Sequence, residues 1–142
     1  MSVTWVGVII SFIAAFALNM TYFSMKGLYP AWVRALGQNL EEKVRNGSQV
    51  SMAPAFTLVT VGLFVQAFMM DWVIQAAHAL YGKDISFISG LAIGLGVGVG
   101  LAAAPALGHR MFSGQGLKVW IIECGADILG LGIMGAVFSF WH

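Results

Sequence analysis

The residues best suited to chemistry are two carboxylates, Glu123 and Asp127, which lie in an otherwise apolar stretch. A spacing of four places both side chains on one face of a helix. Ionisable groups inside a membrane helix are costly and are functional candidates by default. The pair therefore has two interpretations. The functional one is a proton or cation relay, or a polar pocket for a ligand; the structural one is a set of interhelical hydrogen bonds that only hold helices together.

Other polar side chains are predicted to lie at a similar depth in the membrane to Glu123 and Asp127, when residues are counted from the charged ends of their segments. Lys118 or Arg110 is expected to reach Glu123 from the surface. The predicted polar cluster comprises Glu123, Asp127, Asn19, Thr57 and Thr60.

A second polar stripe, with spacings of four and three, is formed by Asp71, Gln75 and His78. Together with His142 it offers two His and one Asp, a weak metal pattern without fixed ligand spacing. A solvated helix end is the favoured interpretation. No Ser, His and Asp set falls at one depth, and the Gly94–Gly100 run lacks the features of a phosphate loop. The sequence therefore predicts no enzyme, no metal site and no cofactor.

The elements that carry these residues follow from composition. Of the 142 residues, 59% are hydrophobic and 9% are charged, against roughly 25% charged in soluble domains. Four apolar runs reach the length of about 20 residues that a spanning helix needs. We predict an all-α membrane protein, a single domain over residues 1–142 with a four-helix transmembrane bundle at about 3–24, 52–80, 85–108 and 117–141.

The first connection predicts an additional short helix. Val33, Leu36, Leu40 and Val44 recur at helical spacing, Pro30 suits a first turn, and a glycine follows at position 47. This pattern predicts a helix at about 30–45. It fits an interfacial helix on the membrane surface and an amphipathic connector packed on the bundle equally well.

Basic residues indicate the orientation. Connections one and three share a side of a four-span protein, and they hold Lys26, Arg34, Lys43, Arg45, Arg110 and Lys118. Only Lys83 lies in connection two. Because Lys and Arg in short loops stay in the cytoplasm, both termini are predicted on the non-cytoplasmic side. Seven basic residues against six acids give no nucleic-acid footprint.

Glycines in the third span fall in two rows spaced by four. One row contains Gly90, Gly94 and Gly98 and ends at Ala102; the other contains Gly96, Gly100 and Gly108, with Ala104 among them. The rows lie about 200° apart on an α-helix. Small residues let helix backbones approach closely in lipid, so the pattern predicts two smooth packing faces, one for the bundle and one for another copy or a larger complex.

Two segments resemble a known family. They are TYFSMKGLYPAW (residues 21–32) and FSGQGLKVWIIECGADILGLGIMGAVFSFW (residues 112–141). The first resembles the aromatic pair, Ser, Gly and Trp that end the first helix in the family of domain of unknown function 1761, and the second its last-helix Gly and Met-Gly pair. The matching residues are Tyr22, Phe23, Ser24, Gly27, Trp32, Gly125, Met134 and Gly135.

The resemblance implies a small four-helix protein of the bacterial inner membrane, with no established reaction. Glu123 and Asp127 depart from the family pattern of a neutral polar residue and an aromatic or His. The expected function is a non-enzymatic scaffold or complex subunit that packs through glycine faces, with membrane lipids and a second copy or larger complex as partners. The alternative is a small transporter or proton- or cation-conducting oligomer that uses Glu123 and Asp127.

Overall fold

The computed structural model describes residues 2–47 and 52–142, and all the regular structure in these ranges is helical. The elements in chain order are α1 (Trp5–Tyr22), α2 (Tyr29–Ala35), α3 (Leu40–Asn46), α4 (Ala53–Tyr81), α5 (Phe87–Val97), a π-helical segment (Gly98–Ala103), α6 (Ala104–Phe112) and α7 (Leu117–Phe138). Because α5, the π segment and α6 follow one another without a break, they form one continuous helix.

Four helices of 18 to 29 residues in the described ranges are long and apolar enough to cross a membrane: α1, α4, the continuous helix Phe87–Phe112, and α7. They correspond to the four predicted spans. The third extends four residues beyond the predicted end at Gly108, and the fourth ends at Phe138 rather than at Trp141.

The bundle is organised around α7. Half of its apolar window is buried, against 17–22% for the other three long helices, and α7 packs against α1, α4, α5 and the π segment. The core joins α1, α4 and α7 through Val8, Ala15, Leu63, Ala67, Met70, Ile74, Leu131, Met134 and Phe138. Large apolar side chains remain exposed on the outside, such as Leu58 at 72% and Leu101 at 75%.

The predicted single helix at 30–45 is wrong, because the chain forms two short helices there, α2 and α3. Gly37 between them has φ +74°, a left-handed conformation that favours glycine and ends a helix. Asn39 then caps α3 by accepting hydrogen bonds from the backbone N–H groups of Glu41 and Glu42. The residues of α2 and α3 therefore do not share one continuous helical face.

The π segment was not predicted. Pro105, just after it, has no N–H to donate to the preceding turn. The Ala103 carbonyl, at the end of the π segment, accepts a 2.8 Å hydrogen bond from the Trp120 indole of α7. A π turn holds more residues than an α turn, so residues beyond it are rotated relative to an ideal α-helix. Gly108 therefore does not continue the Gly96–Gly100 row in strict register.

Helix α4 joins the bundle by its second half. Its buried residues begin at Leu63 and continue to Gln75. The first ten residues, Ala53–Gly62, contain no buried side chain, and Gly62 has open space where a Cβ would lie. The first half of α4 is therefore not packed against the other described helices, and its side chains face the surroundings of the protein.

Candidate functional site

Glu123 connects three elements at one end of the bundle. One of its carboxylate oxygens pairs with Nε of Arg110 at the end of α6, and the other accepts a 3.0 Å hydrogen bond from the Trp32 indole of α2. Arg110 also donates to Oε1 of Gln115 at 2.9 Å. The tight connection between α6 and α7 brings Arg110 back over Glu123. Of the two bases expected to reach this carboxylate, the structure places Arg110 there.

Asp127 lies one turn further along the same face of α7 and is half-buried. In contrast to Glu123, it receives no hydrogen bond from any residue in the described ranges. Within the described residues, its oxygens are therefore without a hydrogen-bond donor, one turn away from the Arg110–Glu123 ion pair.

The other members of the predicted cluster turn back to their own helices. Nδ2 of Asn19 donates to the Ala15 carbonyl at 3.0 Å. The hydroxyls of Thr57 and Thr60 donate to carbonyls four residues earlier in α4, at 2.8 and 2.7 Å. This back-bonding satisfies a hydroxyl locally when no partner helix is near. Hydrogen bonds therefore do not join the five predicted residues into one cluster. The exposed first half of α4 explains this for Thr57 and Thr60.

Tyr22 makes a contact with α7 that the sequence did not predict as a site. Its hydroxyl donates to the Ile122 carbonyl at 2.8 Å, and it lies directly over Gly125, where a Cβ would overlap the tyrosine oxygen. Tyr22 and Gly125 are two of the residues that carry the family resemblance. Their pairing gives that resemblance a structural meaning, since the end of α1 is fastened to α7 there.

Asp71 forms a buried polar centre at the opposite end of the bundle. Its side chain is fully buried; Oδ2 accepts from the Thr4 backbone N–H and from Nε2 of Gln75, both at 2.9 Å, and Oδ1 lies 3.2 Å from Nε2 of His142. The prediction of a solvated helix end is therefore wrong. The sequence pattern already grouped Asp71, Gln75 and His142, but it did not predict the backbone donor from Thr4.

Two histidines lie beside this centre. Nδ1 of His78 lies 2.9 Å from the His142 carbonyl, and Nε2 of His142 lies 3.1 Å from the Thr4 hydroxyl. In the described part of the chain, no group of three His, Cys, Asp or Glu residues is arranged to hold a metal ion. The cluster instead fastens the start of α1, the middle of α4 and the segment after α7 to one another.

The two glycine rows lie in opposite environments. A Cβ on Gly90 or Gly94 would overlap the carbonyl oxygen of Gly135 or Leu131, and a Cβ on Gly98 would lie 2.7 Å from Cα of Ile128. At Gly96, Gly100 and Gly108, by contrast, a Cβ would meet nothing within 4 Å. The first row is in backbone contact with α7, and the second row is open.

The family model for "Protein of unknown function (DUF1761)" matches residues 6–139. No curated protein and no solved structure matches the chain. The matched range covers all four long helices and the Tyr22–Gly125 contact. The chain therefore belongs to the DUF1761 family.

Proposed function

We propose that this protein is a non-enzymatic scaffold of the bacterial inner membrane, with both termini outside the cytoplasm, and that it assembles with a second copy of itself through Gly96 and Gly100. The open glycine row is the observation that carries this proposal. Membrane insertion is supported by the exposed apolar side chains around the bundle, because soluble monomers rarely expose such contiguous apolar surface.

A second copy is the favoured partner because the protein itself shows what a glycine row packs against. Gly90 and Gly94 face Gly132 and Gly135 of α7, so backbone meets backbone across that interface. Two copies of the open row can meet in the same way across a twofold axis, which presents one surface to itself. Close approach of backbones is a main source of helix association in lipid.

The partners of Glu123 favour a structural role for this carboxylate. Its oxygens already bind Arg110 and Trp32. The contact with Arg110 holds α6 on α7, and the contact with Trp32 holds α2 on α7. A mobile proton or ion would have to displace these partners.

Disulfide cross-linking in native membranes tests the scaffold proposal. The Gly96→Cys variant in a Cys124→Ala background should form a disulfide-linked dimer on mild oxidation, since a disulfide requires Cα atoms within about 7 Å. The control is Leu101→Cys in the same background, because Leu101 is 75% exposed and is not part of the open row. Equal cross-linking of the two variants, or none at Gly96→Cys, would contradict the proposal.

The transporter alternative is favoured by one observation, the unused hydrogen-bonding capacity of Asp127. Its test is proton or cation flux in liposomes for Glu123→Gln and Asp127→Asn. Unchanged expression with lost flux would favour transport. Lost assembly, with no flux for the wild type or the variants, would favour the structural role.

A further inference from the structure

We infer a binding site for the phosphate of an anionic phospholipid, in a groove between α2 and the first turns of α7. The groove has a volume of about 520 Å³, which lies within the range of small-molecule sites. Its described lining consists of two cations and four apolar residues, with no acid among them: Arg34, Lys118, Ala31, Ala35, Ile121 and Ile122. This inference rests on the membrane orientation proposed above.

The charges of the groove are uncommitted. Within residues 2–47 and 52–142, neither Arg34 nor Lys118 forms an ion pair or a side-chain hydrogen bond. The nearby carboxylate of Glu123 is already paired with Arg110. Two cations facing one open space, without a protein anion between them, suit a phosphodiester group, which Arg and Lys both bind.

The walls of the groove are held in place by the rest of the bundle. The Trp32 indole is bonded to Glu123, and Val33 is fully buried, so α2 is fixed against α7 from the inside. The small side chains of Ala31 and Ala35 leave the space open on the α2 side. The site therefore requires little rearrangement to admit a ligand, which lowers the cost of binding.

The apolar half of the lining favours a lipid over a free phosphate. Ile121 is 54% exposed and follows Lys118 by almost one turn, so it lies further along α7 from the charged end of the groove. A headgroup between Arg34 and Lys118 would leave its acyl chains beside Ile121 and Ile122. Basic pockets between membrane helices on the cytoplasmic side bind anionic lipid headgroups in this manner.

Native mass spectrometry of the protein in detergent, with phosphatidylglycerol and phosphatidylcholine of identical acyl chains, tests the inference. The wild type should retain phosphatidylglycerol preferentially. The Arg34→Gln/Lys118→Gln variant should bind it about twenty-fivefold more weakly, since each basic residue near an anionic headgroup contributes about a factor of five. The matched control Lys26→Gln/Arg45→Gln removes the same charge from the same predicted side of the membrane and should bind like the wild type. The charge-preserving Arg34→Lys/Lys118→Arg variant should retain most of the binding.

Three outcomes would overturn the inference. Equal losses in the two Gln variants would indicate general charge attraction. Inorganic phosphate that binds the wild type and displaces phosphatidylglycerol would assign the groove to a soluble ligand. Photoreactive phosphatidylglycerol that labels wild-type peptides other than residues 31–35 and 118–122 would place the lipid elsewhere, and this arm does not depend on how the variants fold. A chain that remains folded and monomeric without detergent would instead refute the proposed membrane function.

Discussion

Two rows of glycine lie along the third long helix, and they show that one residue pattern can occur both in a buried helix contact and on an open surface. Gly90, Gly94 and Gly98 lie against the backbone of α7, whereas Gly96 and Gly100 face open space. The difference comes from the partner, since α7 offers its own Gly132 and Gly135 to the first row only. The closed row is thus part of the fold, and we assign the open row to assembly.

The largest effect is expected from the Gly94→Leu substitution in the closed row. A Cβ there would overlap the Leu131 carbonyl oxygen and lie 2.8 Å from Cα of Gly132, and backbone cannot move aside as a side chain can. We expect a loss of more than about 3 kcal/mol, at the upper end of overpacking costs, seen as failure to purify a monodisperse folded protein. The Gly96→Leu control should unfold like the wild type; equal damage from both would erase the distinction between the rows.

A smaller effect is expected on the α7 side of the same contact. In Gly135→Ala, the new methyl group would meet the Gly90 carbonyl oxygen and, at 3.1 Å, the backbone nitrogen of Gly94. The α5 and α7 backbones must separate slightly, at a cost of about 2 kcal/mol. Thermal or denaturant unfolding in detergent measures this loss, and wild-type stability would contradict the backbone contact.

The Gly132→Ala substitution should cost less, below about 1 kcal/mol. Its methyl group would lie 2.8 Å from Cδ2 of Leu95 and 3.3 Å from Cδ1 of Leu91. Both atoms are the ends of flexible side chains, which can rotate away. The same unfolding measurement should therefore rank Gly132→Ala above Gly135→Ala in stability, and the reverse order would show that side-chain packing, not backbone approach, controls the closed row.

The smallest effect is expected at the polar contact that flanks the closed row. Glu123→Gln removes the charge opposite Arg110 but keeps an acceptor for the Trp32 indole. Because both side chains of the ion pair are partly exposed, the cost should be about 0.5 kcal/mol. A loss larger than that of Gly135→Ala would mean that polar contacts hold α7 more firmly than the glycine row does.

The sequence was sufficient for the four long helices and the family, because both depend on local patterns. Four apolar runs predict four long helices, and the aromatic and glycine positions from Tyr22 to Gly135 predict the family that the comparison confirms. The break at Gly37 was also visible locally. Gly37 is a typical helix end and Asn39 a typical helix N-cap, but the apolar residues on both sides keep one helical spacing, which led to the prediction of a single helix.

The arrangement of the polar residues could not be predicted, because it depends on contacts distant in sequence. Asp71 accepts a hydrogen bond from the Thr4 N–H, 67 residues away in the sequence, and Glu123 accepts one from the Trp32 indole, 91 residues away. Thr57 was expected beside α7, but α4 enters the core only from Leu63 onward. Counting residues along each helix gives the depth of a side chain in the membrane, but it could not show that the first half of α4 lies outside the core.

The central claim is that the open glycine row joins two copies of the protein. Single-molecule photobleaching of fluorescently labelled protein in liposomes tests it most directly. The account predicts two-step bleaching for the wild type at dilutions where the stably folded Gly96→Leu/Gly100→Leu variant bleaches in one step. Equal fractions of two-step events for the wild type and this variant would contradict it.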